Sequence, residues 1–153
     1  MRNGRVHVVD YDQQKHGDAI RCFSLADGEE IWRYFYPVKV KRNHGMSRTT
    51  PVVTDKYVVT MGPKCHVACL DAATGEIRWQ NNTAGHLDEF SRRGVACQGE
   101  LLLYKDHLFL AGGNAMSPGC FEAETGKCLS PAPNWVGTWA PRGRELRVHG
   151  GQV

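Results

Sequence analysis

The sequence contains no apolar run long enough to cross a bilayer as a helix, and no segment with convincing helical periodicity. Met1-Arg2-Asn3-Gly4 leads directly into a β-prone run, without the charged head, apolar stretch and cleavage site of an export signal. Charge of one sign is scarce too. Nineteen Lys and Arg against sixteen Asp and Glu leave a net charge of +3, too small to imply a nucleic-acid partner. Enzyme signatures are missing: no phosphate-cradling glycine loop, no His-Glu-x-x-His and no Gly-x-Ser-x-Gly elbow. Gly112-Gly113-Asn114 follows a strand-like run but opens no helix, which excludes a dinucleotide site there. No Cys-x-x-Cys-His is present, so the chain carries no c-type haem.

What the chain does have is one pattern written three times. CFSLADGEEIW (Cys22 to Trp32), CLDAATGEIRW (Cys69 to Trp79) and CFEAETGKCL (Cys120 to Leu129) align on Gly28, Gly75 and Gly126. Gly75 lies 47 residues after Gly28, and Gly126 a further 51, spacings of propeller or solenoid repeats. In each copy a short polar residue precedes a glycine that tolerates positive φ, as a hairpin closing through a bulge requires. β-Prone residues flank the turn, and Trp32 and Trp79 stand four residues after their glycines.

Upstream of the hairpins lie partner runs at Arg5 to Val9, Tyr57 to Met61 and His107 to Leu110. Before the latter two come Thr50 to Thr54 and Leu101 to Tyr104, joined through Asp55-Lys56 and Lys105-Asp106. Four antiparallel strands per unit of about fifty residues make a propeller blade. The expected fold is therefore all-β, a partial β-propeller of about three four-stranded blades in one domain over residues 1–153. Its units fall at about 5–36, 48–81 and 100–130, with a degenerate strand-rich tail at 131–153. A closed ring needs about four to eight blades. The chain, which opens inside a blade, is expected to be a piece of a longer propeller or a unit that assembles with further copies.

The middle unit, from Thr50-Pro51-Val52-Val53 through Tyr57 to Gly62 and Cys69-Leu70-Asp71-Ala72-Ala73-Thr74-Gly75 to Trp79, resembles the pyrroloquinoline-quinone-like (PQQ-like) repeat. The resemblance covers roughly residues 5 to 130 and implies a sector of an eight-bladed propeller. Such propellers serve quinoprotein alcohol dehydrogenases, an outer-membrane assembly lipoprotein and many exported bacterial proteins. The resemblance gives Trp32 and Trp79 a structural role, docked and largely buried between neighbouring blades, with Gly28, Gly75 and Gly126 as the repeat's turn residues. The third copy departs from the pattern, with Ser130 where tryptophan is expected.

Six cysteines invite a disulfide or metal reading. Cys22, Cys69 and Cys120 hold equivalent positions on different blades, beyond the roughly 7 Å that a bridge between Cα atoms tolerates, and read as small buried residues. Cys65 and Cys69 flank His66, but on a strand that histidine faces the opposite side. No metal set is assigned. Asp10 to Asp18 reads as a polar excursion between two strands, without the ligand loop of a calcium site.

Among loops, Val38 to Arg48 is the most distinctive. Lys41, Arg42, His44 and Arg48 are candidate contacts for an anionic ligand or partner, or else a solvated basic connector. His86, Asp88 and Arg92 carry the same two readings. The resemblance then leaves two functions. One is a non-catalytic scaffold or protein-interaction module of an exported bacterial protein, periplasmic or extracellular, needing no cofactor and partnered by further blades or another protein. The alternative is a fragment of a PQQ-dependent dehydrogenase, with PQQ and calcium. Those enzymes set an adjacent cysteine pair over the quinone, and no two cysteines here are adjacent.

Overall fold

The computed structural model describes residues 1–39, 50–62, 66–81, 100–110, 119–127, 129 and 146–151. Among them there is no helix, and ten strands form three antiparallel sheets. Sheet one joins β1 (Arg5–Asp12), β2 (Gly17–Ser24) and β3 (Glu30–Pro37) in that order. Sheet two runs β4 (Val52–Val53), β5 (Tyr57–Met61), β6 (Val67–Asp71), β7 (Ile77–Asn81). Sheet three holds β8 (Leu101–Tyr104), β9 (His107–Leu110) and β10 (Gly119–Glu122). The architecture is a partial β-propeller.

The three motif turns are built alike. Gly28, Gly75 and Gly126 have φ of 76°, 75° and 74°, a region closed to most L side chains. Their N–H groups donate to the carbonyls of Ser24, Asp71 and Glu122 at 3.0, 2.9 and 2.8 Å. A register shift follows at Cys22/Phe23 and at Cys69/Leu70, the bulge that such a turn demands. In sheet two the turn is further tied by Asp71, whose Oδ1 accepts from the N–H groups of Ala73 and Thr74. The Arg78 guanidinium, followed by these two amides, holds its carboxyl down to about 2.

Each motif turn also clasps the turn that leads into β1, β5 or β9 of its own unit. Leu25 N–H donates to Gly4 O, Ala72 N–H to Lys56 O and Ala123 N–H to Asp106 O, at 2.8 to 3.0 Å. In unit one that partner turn is Asn3-Gly4, with positive φ at both residues and Arg2 bridging Arg5, the geometry Asn-Gly favours. Met1 to Gly4 therefore does not merely lead into β1; it folds back upon it.

The polar stretch Asp10 to Asp18 is not the excursion expected from composition. Asp10 to Asp12 complete β1, Gly17 and Asp18 begin β2, and Asp12 pairs with Gly17. Only four residues turn between them, fixed by Asp12 Oδ1 accepting from the N–H groups of Gln14 and Lys15. Conversely, Thr50 to Thr54 contributes only Val52–Val53 as strand, because Thr54 Oγ1 already caps the following turn at the Tyr57 N–H.

The core lies between sheets. Ile20, Cys22 and Trp32 of sheet one pack with Val58, Ala68 and Leu70 of sheet two. Val59, Met61, Val67 and Cys69 on the other side of sheet two pack with Leu101, Leu108 and Phe121 of sheet three. Sheet two is thus buried on both faces, which explains its nearly continuous apolar sequence. The thiols of Cys22 and Cys69 are fully buried, and burial pushes the Cys69 thiol up to about 12. Leu70→Ala removes a side chain at the centre of the first interface and should cost about 2–5 kcal/mol, read as a lowered urea midpoint. A change below about 1 kcal/mol would contradict that packing.

Candidate functional site

The junctions between sheets are the richest sites in the described residues. Trp32 projects from β3 onto the motif turn of sheet two: its Nε1 donates to Ala72 O at 3.2 Å, and its ring lies across Gly75. A Cβ at Gly75 would stand 2.6 Å from Trp32 Cδ2, closer than atoms can approach. The next junction repeats this, with Trp79 Nε1 donating to Ala123 O at 2.9 Å and a Cβ at Gly126 colliding with its ring. The glycine is required twice over, for positive φ and for room beneath the indole. Gly28 has the same conformation with nothing within 4 Å of a Cβ.

The two tryptophans differ in burial. Trp32 is 8 % exposed, and Trp79 is somewhat more so while still packed against the second core. In sheet one the residue across Cys22 on β1 is His7, whose ring lies 5.5 Å from the Trp32 ring. In sheet two the corresponding residue across Cys69 is Val59.

A polar clasp surrounds the first junction. Arg2 binds Asp55 in a fork at 2.7 and 3.0 Å, and Asn3 adds a third hydrogen bond at 2.9 Å. Arg2 chiefly, then Asn3, holds the Asp55 carboxyl down to about 2. Arg5 Nη1 donates to the carbonyls of Ala72 and Ala73 at 2.8 and 3.1 Å. These groups and His7 line a cleft of about 220 Å³. Burial lowers the His7 pKa, favouring the neutral imidazole. A wider cleft of about 550 Å³ lies between sheets two and three, edged by Lys56, Tyr57, Lys105, Asp106 and Glu124. Charges here neutralise one another or cap carbonyls, an arrangement that holds blades together and presents mixed-charge surface.

Sequence reasoning missed one cluster. Asp18, at 1 % exposure, accepts a hydrogen bond from Tyr36 Oη at 3.0 Å, and Tyr36 stacks on His66 with ring centroids 4.0 Å apart. The signal lay in alignment: neither other copy has a carboxyl or a tyrosine at those positions. The candidate contacts Lys41, Arg42, His44 and Arg48 lie outside the described residues, as do His86, Asp88, Arg92, Cys65 and Ser130. Among the described residues, no three His, Cys, Asp or Glu side chains converge on a point where a metal could sit.

Residues 1–152 match the PQQ-like repeat family model described as outer membrane protein assembly factor BamB. The chain belongs to this family. No curated protein matches its sequence. Solved structures share the fold of this BamB-type chain at low identity. A europium-containing methanol dehydrogenase is 16% identical, TM-score 0.62, over 86% of this chain and 23% of its own. BamB from Moraxella catarrhalis is 14% identical, TM-score 0.50, over 80% and 34%. Quinohemoprotein alcohol dehydrogenase from Comamonas testosteroni is 18% identical, TM-score 0.58, over 82% and 19%. The chain spans at most about a third of these proteins.

The junction geometry separates two effects of one substitution. Gly28→Ala should cost only the strain of positive φ, about 1–2 kcal/mol. Gly75→Ala should cost that plus displacement of Trp32, a further 1–3 kcal/mol or so. Equal urea midpoints for the two variants would refute indole-on-glycine packing as the reason for Gly75.

Proposed function

We propose that this chain is a non-catalytic PQQ-like propeller module, acting as a scaffold or protein-interaction domain of an exported bacterial protein in the periplasm or outside the cell. The observation that carries the reading is the family match over residues 1–152, to a family described as an assembly factor. The junction chemistry supports it. Trp32, Trp79, Arg2 and Arg5 direct their donors at a neighbouring sheet, to a carbonyl or to Asp55, so these groups build a rigid surface. Partner contact is assigned to the inter-blade connection bearing Lys41, Arg42, His44 and Arg48, because loops on a rigid scaffold collect binding residues. Among the described residues no helix is long and apolar enough to cross a membrane.

The second reading, a sector of a quinoprotein dehydrogenase, draws on the methanol dehydrogenase likeness, whose TM-score of 0.62 exceeds the 0.50 of BamB. At 16% identity that likeness concerns the fold alone. The sequence holds no adjacent cysteine pair, and among the described residues no three His, Cys, Asp or Glu side chains converge. Positioning is the protein's task in such chemistry, so this reading requires that the quinone be held together with residues beyond those described.

Two measurements decide between these readings. A photo-crosslinking residue at His44, in the native host, is expected to capture one protein partner, with the yield lost when Lys41, Arg42 and Arg48 are changed to Glu. The full chain, titrated with PQQ and calcium and supplied with primary alcohols and a dye acceptor, is expected to give no cofactor-dependent reduction. Saturable dye reduction that needs both additions, at stoichiometric cofactor, overturns the scaffold reading.

A further inference from the structure

The junction between sheets one and two has two ends. Trp32 closes it at the motif turns; at the opposite end stands the cluster of Asp18, Tyr36 and His66. Asp18, the second residue of β2, is buried against sheet two with Oδ1 lacking any hydrogen-bond partner. Its Oδ2 accepts the Tyr36 hydroxyl at 3.0 Å. The Tyr36 ring lies nearly flat on His66, which immediately precedes β6, with centroids 4.0 Å apart and planes at 24°. Gly62 makes the room: a Cβ there would overlap Tyr36 Oη and stand 3.3 Å from Asp18 Oδ2. Aligned on the motif cysteines and glycines, the other units have Cys65 and Met116 in place of Asp18, and Thr83 and Asn134 in place of Tyr36. At these aligned positions of the sequence, no other unit has a carboxyl and a phenol together.

We propose that Asp18, Tyr36 and His66 form a proton-operated latch between the first two blades, closed when Asp18 is protonated and loosened when it ionises. A buried carboxylate with one oxygen unbonded is costly, and the neutral acid much less so. The surrounding groups do not compensate the charge. Tyr11 stands opposite on β1, Tyr36 on β3 with Tyr34 beside it, and His66 stacks on the Tyr36 ring. Asp10 adds negative charge from β1, although Arg21 pairs with it at 3.5 Å. Among the described residues no Lys or Arg pairs with Asp18. Desolvation pushes its carboxyl up to about 6, against the smaller opposing effect of the Tyr36 hydrogen bond.

The sign follows from linkage. The folded pKa lies above the unfolded value of about 3.9, so the latch's contribution is complete below about pH 4 and is lost as pH rises through about 6. The unfolding constant should grow about tenfold from this group between about pH 5 and about pH 7. The latch also sits where the chain leaves sheet one. Val38 N–H donates to His16 O at 3.0 Å, and Tyr11 Oη donates to Val38 O at 3.2 Å. Loosening this end therefore acts at the root of the connection that carries Lys41 and Arg42. The latch stands independently of whether that connection binds a partner.

The test is an NMR titration of the full chain that follows the Asp18 carboxyl carbon and the His66 ring separately, together with urea unfolding across the same pH range. The Asp18 midpoint is expected near 6, and wild type should lose stability from pH 5 to pH 7. Asp18→Asn should flatten that window and be the more stable form at pH 7. Tyr36→Phe, by removing the hydroxyl donor, should move the carboxyl midpoint higher still. A carboxyl midpoint in the ordinary range near 4 overturns the latch, read on wild type even if a variant fails to fold. Parallel pH profiles for wild type and Asp18→Asn, or a window set by His66 alone, also overturn it.

Discussion

The structure depends on an indole lying across a glycine of the next sheet. Trp32 on Gly75 and Trp79 on Gly126 bring together three requirements at one point: a turn with positive φ, a surface stripped of Cβ, and a backbone carbonyl ready to accept the indole N–H. Burying an aromatic side chain is worth roughly 1.5–3 kcal/mol, and a net hydrogen bond about 1 kcal/mol more. Neither sum is large against the entropy of ordering a sheet. The contact matters through position: it fixes the height and angle of one sheet on the next, so that alternate residues of both meet in register. Repeat architectures gain stability from such nearest-neighbour interfaces.

That geometry was legible where the chemistry is local. Gly28, Gly75 and Gly126 announce their turns because few residues tolerate φ near 75°, and the bulges after Cys22 and Cys69 follow from the turn. Tyr57 to Met61 and Val67 to Asp71 read as strands because β-branched and apolar residues dominate them. The Asn3-Gly4 turn is equally local, but only Met1 and Arg2 precede it, too short a run to read as a strand. Asp10 to Asp18 misled for the opposite reason: composition marks exposure, not conformation, and a two-faced strand end with Asp12 capping its own turn looks like a loop. The Asp18–Tyr36–His66 cluster joins residues up to 48 positions apart, a juxtaposition set by the docking of sheets and signalled in the sequence only where the copies differ on alignment.

Sheet two shows what docking on both sides does to a sequence. Val58, Ala68 and Leu70 face sheet one while Val59, Val67 and Cys69 face sheet three. Polar residues are thereby driven to strand ends and turns. Sheet one, with a partner on one face only among the described residues, instead carries a chain of charges on the other: Asp10, Arg21, Glu30 and Arg33, with Arg21 also 4.6 Å above the Phe23 ring. Pairs so exposed contribute little to stability. Their effect is to keep a two-sided apolar pattern from arising, so the faces of sheet one are not interchangeable.

The acceptors at the junctions explain how one fold persists at 14% to 18% identity. Trp32 and Arg5 converge on the carbonyl of Ala72, Trp79 donates to that of Ala123, and the paired turns clasp through Gly4, Lys56 and Asp106 carbonyls. Every residue type supplies a carbonyl, so the accepting side places no demand on side chains. Constraint falls on the donor tryptophan, the turn glycine and the alternation of apolar residues, and other positions can drift. Where a junction uses side chains on both partners, as at Asp18, Tyr36 and His66, the contact is confined to one copy of the repeat. Backbone-directed contacts carry the architecture that the copies share, and the side-chain pair at Asp18 and Tyr36 distinguishes the first junction in this chain.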